Sequence, residues 1–392
     1  MKFGKLKLIL TLLCSFLVFS ILSCKQENTE WRGTIEEVDG VTFVKNPEEG
    51  LWDLKGEANI TLVKKRQIGE LDGPEEYLFV YITDVAVNSR GEFYVADRQL
   101  NEVRKFNKDG EYLLTIGRLG QGPGEFQSPS IISVNSQDEL IVFDNRIGRI
   151  SVFSDSGELV VTTKKLIENS WFSPTKIIDS ENNYVVLGHL NNSIKLFHEF
   201  TRDWQIADSY IDYEFIDNKE FEERNLGFNS GSFFGDNYGD LFYVKHYYDN
   251  QIFVYRNREL IKIISRESNI KKPYEVQEFS DVKKAQEIRR DQVDYDFKSF
   301  GQGVAYVGKS FQYSLGIYQL ADGNIVNFLN IRKSKDLREI GVELFDSSGK
   351  FLTYSKLKEN VYYDICCKDS TDLFYAVERK EYNKVIMFRL EY

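Results

Sequence analysis

Three histidines, four cysteines and 61 acidic against 50 basic side chains are the groups from which this 392-residue chain could build chemistry. His189 and His246 stand out. Two neutral imidazoles with a carboxylate such as Glu378 make a donor set that Zn²⁺ accepts, and histidine also carries protons near neutral pH. His198 is read as lying beyond a third strand and outside that set. No cofactor is expected; a Zn²⁺ or Ca²⁺ ion at His189 and His246 is the alternative. The chain has no Gly-x-Ser-x-Gly elbow, His-Glu-x-x-His pair, calcium loop or clustered Cys/His spacing, so no catalytic residue is assigned. The stretch from Gly117 to Pro129 is rich in glycine but lacks a Gly-Lys-Ser/Thr ending and a following helix, which makes it a connector and not a phosphate cradle. Cys366 and Cys367 are neighbours that would face opposite sides of a strand, as packing residues and not as a redox pair. Asp97 and Asp144 close their strands, where a carboxylate can accept N–H groups of the next turn.

Such side chains need a scaffold, and an internal repeat supplies its frame. Thr83 to Asp97 aligns with Ser130 to Asp144 at an offset of 47 residues, and the match runs on through Val103 to Gly110 against Ile150 to Gly157. Each copy alternates apolar and polar residues over short strands, with Asp-Gly steps at the turns, so it reads as four strands in one small sheet. Diverged copies follow around Tyr184–Leu187, Leu241–Val244, Ile325–Val326 and Phe374–Ala376. That makes six. The last copy ends after its third strand, and residues 60 to 68 form an orphan strand that would complete it. The expected fold is therefore all-β: a six-bladed β-propeller with four-stranded blades over residues 58–392, closed by an N-terminal strand in the last blade. A helical insertion is expected at 266–300, from the good helix formers between Asp281 and Arg290.

Ile116-Gly117, Gly122-Pro123-Gly124-Glu125-Phe126, Tyr94-Val95-Ala96-Asp97 and Asp109-Gly110 resemble NHL-type propeller repeats and the bacterial six-bladed propeller lipoproteins that contain them. The resemblance implies the fold and leaves the activity open, because this fold hosts binding modules and unrelated enzymes.

The N-terminus reads as an address. Lys2, Lys5 and Lys7 precede an apolar run from Leu8 to Leu22, which is short for a membrane span of roughly 20 residues and ends at Ser23-Cys24. This order is that of a secretory signal peptide, with a plain N-terminal membrane anchor as the alternative. The cysteine at its end resembles a bacterial lipobox. That resemblance implies loss of residues 1–23 and a lipid, palmitate included, on Cys24. Residues 24–57 then form a tether and lead-in. The expected location is the bacterial cell envelope, lipid-anchored at the periplasmic face of the outer membrane or at the cell surface. A net charge of −11 disfavours nucleic acid, and none is expected as partner, since that binding depends on cations neutralising phosphates.

One step past the second strand of every copy stands a polar residue: Arg98, Asn145, His189, His246, Asn330 and Glu378. Together they form a candidate ligand-binding rim. Trp171, Phe172, Phe233, Phe234, Tyr247 and Tyr248 could stack on a sugar or peptide nearby, or fill the space between blades. The function expected is a non-catalytic binding or scaffold module for a peptide, an envelope protein or a glycan. The alternatives are a metal-dependent lyase or hydrolase on the same rim, and a subunit of an export or uptake assembly.

Overall fold

The computed structural model describes residues 30–57, 59–163, 172–180, 182–190, 195–212, 233–238, 241–246, 251–267, 274–291, 295–299, 305–310, 312–332, 338–357 and 363–392. These residues form seven sheets, six of which are arranged as blades of four antiparallel strands. Blade 1 runs Ile82–Val87, Phe93–Asp97, Glu102–Phe106, Tyr112–Ile116, and blade 2 runs Pro129–Val134, Leu140–Asp144, Arg149–Phe153, Leu159–Thr162. Blade 3 comprises Phe172–Asp179, Tyr184–Leu190, Lys195–Phe200, Ile206–Asp212; blade 4 comprises Phe233–Tyr238, Leu241–His246, Gln251–Arg256, Glu259–Arg266. Blade 5 holds Gln312–Gln319, Ile325–Arg332, Arg338–Phe345 and Phe351–Leu357. Blade 6 takes Tyr363–Lys368, Phe374–Arg379 and Asn383–Glu391 from the C-terminus, and Thr61–Ile68 from the N-terminus as its fourth strand. The first strand of each blade touches the first strand of the next, and blade 6 returns to blade 1, so six inner strands ring a central channel.

The turns follow from side-chain competition for backbone amides. In blades 1 and 2, Asn88, Asn107 and Asn135 each turn an Oδ1 onto the N–H groups two and four residues on, at 2.8–3.1 Å. Asp346 and Asp369 do the same in blades 5 and 6. This side-chain capture of the turn is what Asn and Asp offer that other residues do not. Between the blades, aromatic rings act as wedges. Phe93 stacks on Phe106 of its own blade and meets Tyr375 of blade 6 at 5.3 Å; Phe328 of blade 5 meets Phe374 of blade 6 edge-on at 5.1 Å. Each such pair contributes about 1 kcal/mol beyond the area it buries.

The inner strands are kinked by bulges at a repeated place. Thr83, Ser130 and Thr175 each occupy a bulge in blades 1, 2 and 3, where a second-strand residue faces two residues of the first. Their hydroxyls donate to the second-strand carbonyls of Ala96, Phe143 and Leu187 at 3.2–3.3 Å. A small hydroxyl residue thus restores a bond that the bulge removes from the ladder.

Two segments differ from expectation. Residues 24–57 were expected to tether the body, yet from Thr34 on they are part of it. Thr34–Val38 and Val41–Asn46 form a hairpin whose second strand lies parallel to the outer strand of blade 4, making a six-stranded sheet. Asn46 explains the docking. Its buried amide donates to Ser265 O and Gly349 O at 3.0 and 2.9 Å and accepts from Phe351 N and Trp31 Nε1, joining blades 4 and 5. The insertion does hold a helix, Val282–Asp291, but strands surround it: Tyr274–Phe279, Ala305–Ser310 and Tyr295–Ser299 lie side by side in that order.

Asp97 and Asp144 are fully buried staples. Asp97 accepts from Val80 and Tyr81 N–H on the incoming loop and from Gln99 and Leu100 N–H on the outgoing turn, at 2.7–3.2 Å. Asp144 repeats this with Gln127, Ser128, Arg146 and Ile147. Asp97→Ala strands several amides at once, so urea unfolding should show a loss of about 3 kcal/mol. Exposed Asp109→Ala should cost no more than about 0.5 kcal/mol.

Candidate functional site

The channel and its mouth gather the charged groups of blades 1, 3 and 6. Asp84, on the inner strand of blade 1, accepts from Ile132 N on blade 2 and from Val85 N, both at 2.9 Å. Lys176 of blade 3 and Cys366 of blade 6 stand close enough to act on it electrostatically. Burial dominates. It raises the Asp84 carboxyl from 3.8 to about 6 in spite of the two amides and the lysine charge, which pull it down. Cys366 is the bulged residue of its strand, and burial together with the charge of Asp84 pushes its thiol well up. A thiol so placed stays protonated and is a poor nucleophile, whereas a carboxyl that titrates near 6 is poised to give and take a proton.

At the mouth, where second strands end and first strands begin, Tyr81 lies between two guanidinium groups. Its ring, 39% exposed, has Arg98 Cζ at 4.0 Å and Arg379 Cζ at 5.3 Å from the centroid. Each partner is held in place. The Tyr81 amide is bound by buried Asp97, the Arg98 amide donates to Tyr81 O at 3.1 Å, and Arg379 pairs with the Asp364 carboxylate and donates to Ile82 O at 2.6 Å. The half-exposed Tyr81 side chain and the exposed Arg98 stacked over its ring give a preorganised surface that is cationic at the guanidinium and apolar where the ring is uncovered.

The six rim positions fall on corresponding second strands but do not present one common set. Arg98 and Asn145 follow the strand end and are exposed. Asn330 lies within its strand and is 1% exposed; Glu378 is 5% exposed and pairs across the strand with Lys384 at 2.9 Å. The longer second strands of blades 5 and 6 carry these two into the packed sheet, so neither stands free on the rim. His189 and His246 belong to the second strands of neighbouring blades 3 and 4, and their side chains lie outside what is described. His198 does not follow the third strand of blade 3 but sits inside it, fully buried, with Nδ1 2.8 Å from Ser209 Oγ. Of the aromatic residues expected to stack on a ligand, Phe172 is core, edge-on to Phe143. Phe233 and Phe234 are placed by backbone only, and Trp171, Tyr247 and Tyr248 lie outside the described residues. Cys24 lies outside them too.

Sequence reasoning passed over Tyr81, Asp84 and Arg379. A signal was present for two of them. At the 47-residue offset, Asp84 corresponds to Ile131 and Tyr81 to Ser128, so each breaks the repeat where its copy conforms to it.

Residues 70–319 match the model of the DUF5128 family, described as a 6-bladed beta-propeller. Among solved structures, the chain is similar to a member of the DUF4221 family from Bacteroides vulgatus at 12% identity and a TM-score of 0.55, over 85% of this chain and 98% of that one. It is also similar to a Bacteroides fragilis protein named for predicted export, at 13% identity and a TM-score of 0.54, over 89% and 100%. No curated protein matches the chain. At these identities the likeness is one of fold.

The raised Asp84 carboxyl fixes the sign of a pH effect. The folded state binds its proton more tightly than the unfolded chain, so the stabilisation is complete only below the ordinary value of 3.8 and is lost as pH rises through about 6. Urea unfolding of the wild type and of Asp84→Asn at pH 4 to 7 should show the difference between them shifting against the wild type by up to about 3 kcal/mol. A difference that stays constant across this range would contradict the placement.

Proposed function

We propose, from the premise that the chain belongs to the DUF5128 family of six-bladed β-propellers, that it is an exported lipoprotein whose propeller serves as a non-catalytic binding module. The observation that carries the reading is the Tyr81 ring set between Arg98 and Arg379 at the channel mouth. A ligand with one carboxylate beside a flat or apolar group matches that surface. The carboxylate meets the exposed Arg98 guanidinium, and the flat or apolar group packs against the part of the half-exposed Tyr81 side chain that the guanidinium groups leave uncovered. A peptide terminus has this chemistry, whereas a polyanion would be repelled by a body of net charge −11. Export and anchoring rest on the basic, apolar and cysteine-ended order of residues 2–24, and not on any membrane-crossing helix. Among the described residues none is long and apolar enough to span.

Calorimetry with short N-acetylated peptides, each as free acid and as amide, tests the binding reading. The free acids should bind at least tenfold tighter, and both Tyr81→Ala and Arg98→Ala should remove most of that preference without changing the melting temperature. Equal affinity of acid and amide would contradict it. For the anchor, growth with a palmitate analogue should label the wild type and leave Cys24→Ala unlabelled; equal labelling would refute a lipid on Cys24.

A second reading is kept for one reason: His189 and His246 fall at matching second-strand positions of adjacent blades. A lyase or hydrolase built there would carry metal. Elemental analysis of untagged protein should then show near-stoichiometric Zn or Ca that the His189→Ala/His246→Ala variant lacks.

A further inference from the structure

On the face of the ring opposite the mouth, where hairpins join first to second and third to fourth strands, blades 3 and 4 enclose a cavity of about 640 Å³. Its apolar side is aromatic. Phe197 lies flat against Tyr210, with centroids 5.5 Å apart and planes 4° from parallel, and Phe242 meets Phe197 edge-on at 5.8 Å. Its polar side is planar and hydrogen-bonding. Asn183 donates through its side chain to Glu199, and Arg258 pairs with Glu199 and with Asp208 at 2.6 Å while its Cζ lies 4.5 Å over the Tyr210 ring. Burial, with Glu199 adding to it, pushes the Tyr210 phenol up to about 12, so it remains a neutral hydroxyl.

Strained backbone meets at the same cavity. Asn257 and Arg258 form the two-residue turn between the outer strands of blade 4 with φ of 49° and 70°, and Ile211 lines the opposite wall at φ 62°. Glycine is the easy residue in such a turn. Arginine there is strained, and a β-branched isoleucine in the left-handed region is rarer still. Conformational cost concentrated at one cavity is the pattern seen where side chains are held for a ligand.

We infer that this cavity is a binding site for a neutral pyranose, distinct from the mouth. A sugar ring has an apolar C–H face, which suits an aromatic wall, and hydroxyls around its edge, which suit amide, carboxylate and guanidinium groups. The volume falls within the roughly 300–1,000 Å³ of small-molecule sites. Arg258 is shared by two carboxylates, Glu199 and Asp208, so the polar wall keeps a net negative charge that turns away an anionic ligand and leaves carboxylate oxygens to accept from hydroxyls. Asn183, Glu199 and Arg258 already bond to one another, and their remaining donors and acceptors are what an aliphatic ligand would not use and a ring of hydroxyls would.

The test is saturation-transfer NMR and calorimetry on the purified protein with methyl β-glucoside, methyl β-galactoside, N-acetylglucosamine and cellobiose. At least one should bind. Arg258→Gly suits the left-handed turn and should keep or raise the melting temperature while weakening the sugar at least tenfold; Asn183→Ala should weaken it severalfold. Tyr81→Ala should leave it unchanged, and that separates this site from the proposed mouth. The inference is overturned if none of the four sugars binds, if neither Arg258→Gly nor Asn183→Ala weakens binding, or if Tyr81→Ala abolishes it.

Discussion

The antiparallel pairing of Thr61–Ile68 with Asn383–Glu391 is the interaction on which the rest of the molecule depends. A ring of blades is stable only if the last sheet has its full complement of strands, because an open blade exposes a row of unpaired amides and carbonyls and leaves the aromatic wedges beside it uncovered. The register runs from Ile68 opposite Val385 to Thr61 opposite Glu391, with one bulge at Met387 and Phe388. Closure brings blade 6 against blade 1, and the mouth is made at that seam. Arg379 donates to Ile82 O and Asn383 donates to Val80 O across it. The same backbone, Val80 and Tyr81, is gripped from the other side by Asp97. One buried carboxylate therefore secures a loop of the fold and orients the aromatic ring of the site.

Buried charge is handled by pairing. Lys105, 3% exposed, is satisfied by Glu92 and Asp155, and so links blade 1 to blade 2. Arg266 pairs with Glu343 and covers the Phe351 ring between blades 4 and 5. Breaking such a pair would leave a buried charge alone, which is costly even where the intact pair contributes little net stability. The mouth, where Arg98 is exposed over Tyr81, and the channel, where Asp84 holds its proton to unusually high pH, are arranged differently. They are where a ligand or a proton would have something to gain.

The repeat made the architecture legible. Thr83 to Asp97 against Ser130 to Asp144 sets blade spacing, and the missing fourth strand of the last copy pointed to residues 60–68. Asp97 and Asp144 were readable as staples because a carboxylate at a strand end has few other uses. The rim was less so. Counting one step past each second strand works for Arg98 and Asn145, but Asn330 and Glu378 sit in longer strands whose extra residues draw them into the sheet. The docking of residues 34–46 was hidden because it depends on Asn46 bridging two blades far away in sequence. The cavity between blades 3 and 4 was hidden for the same reason: Glu199 and Arg258 meet only once the ring exists.

Calorimetry on two truncations, one beginning at residue 58 and one at residue 70, tests the central claim most directly, since both lack the docked residues 34–46 alike and they differ only by residues 58–69, which carry the closing strand. If closure governs the fold, the longer form should unfold in one cooperative transition, while the shorter one should lose that transition and aggregate. A chain beginning at residue 70 that melted cooperatively at the same temperature would contradict the account.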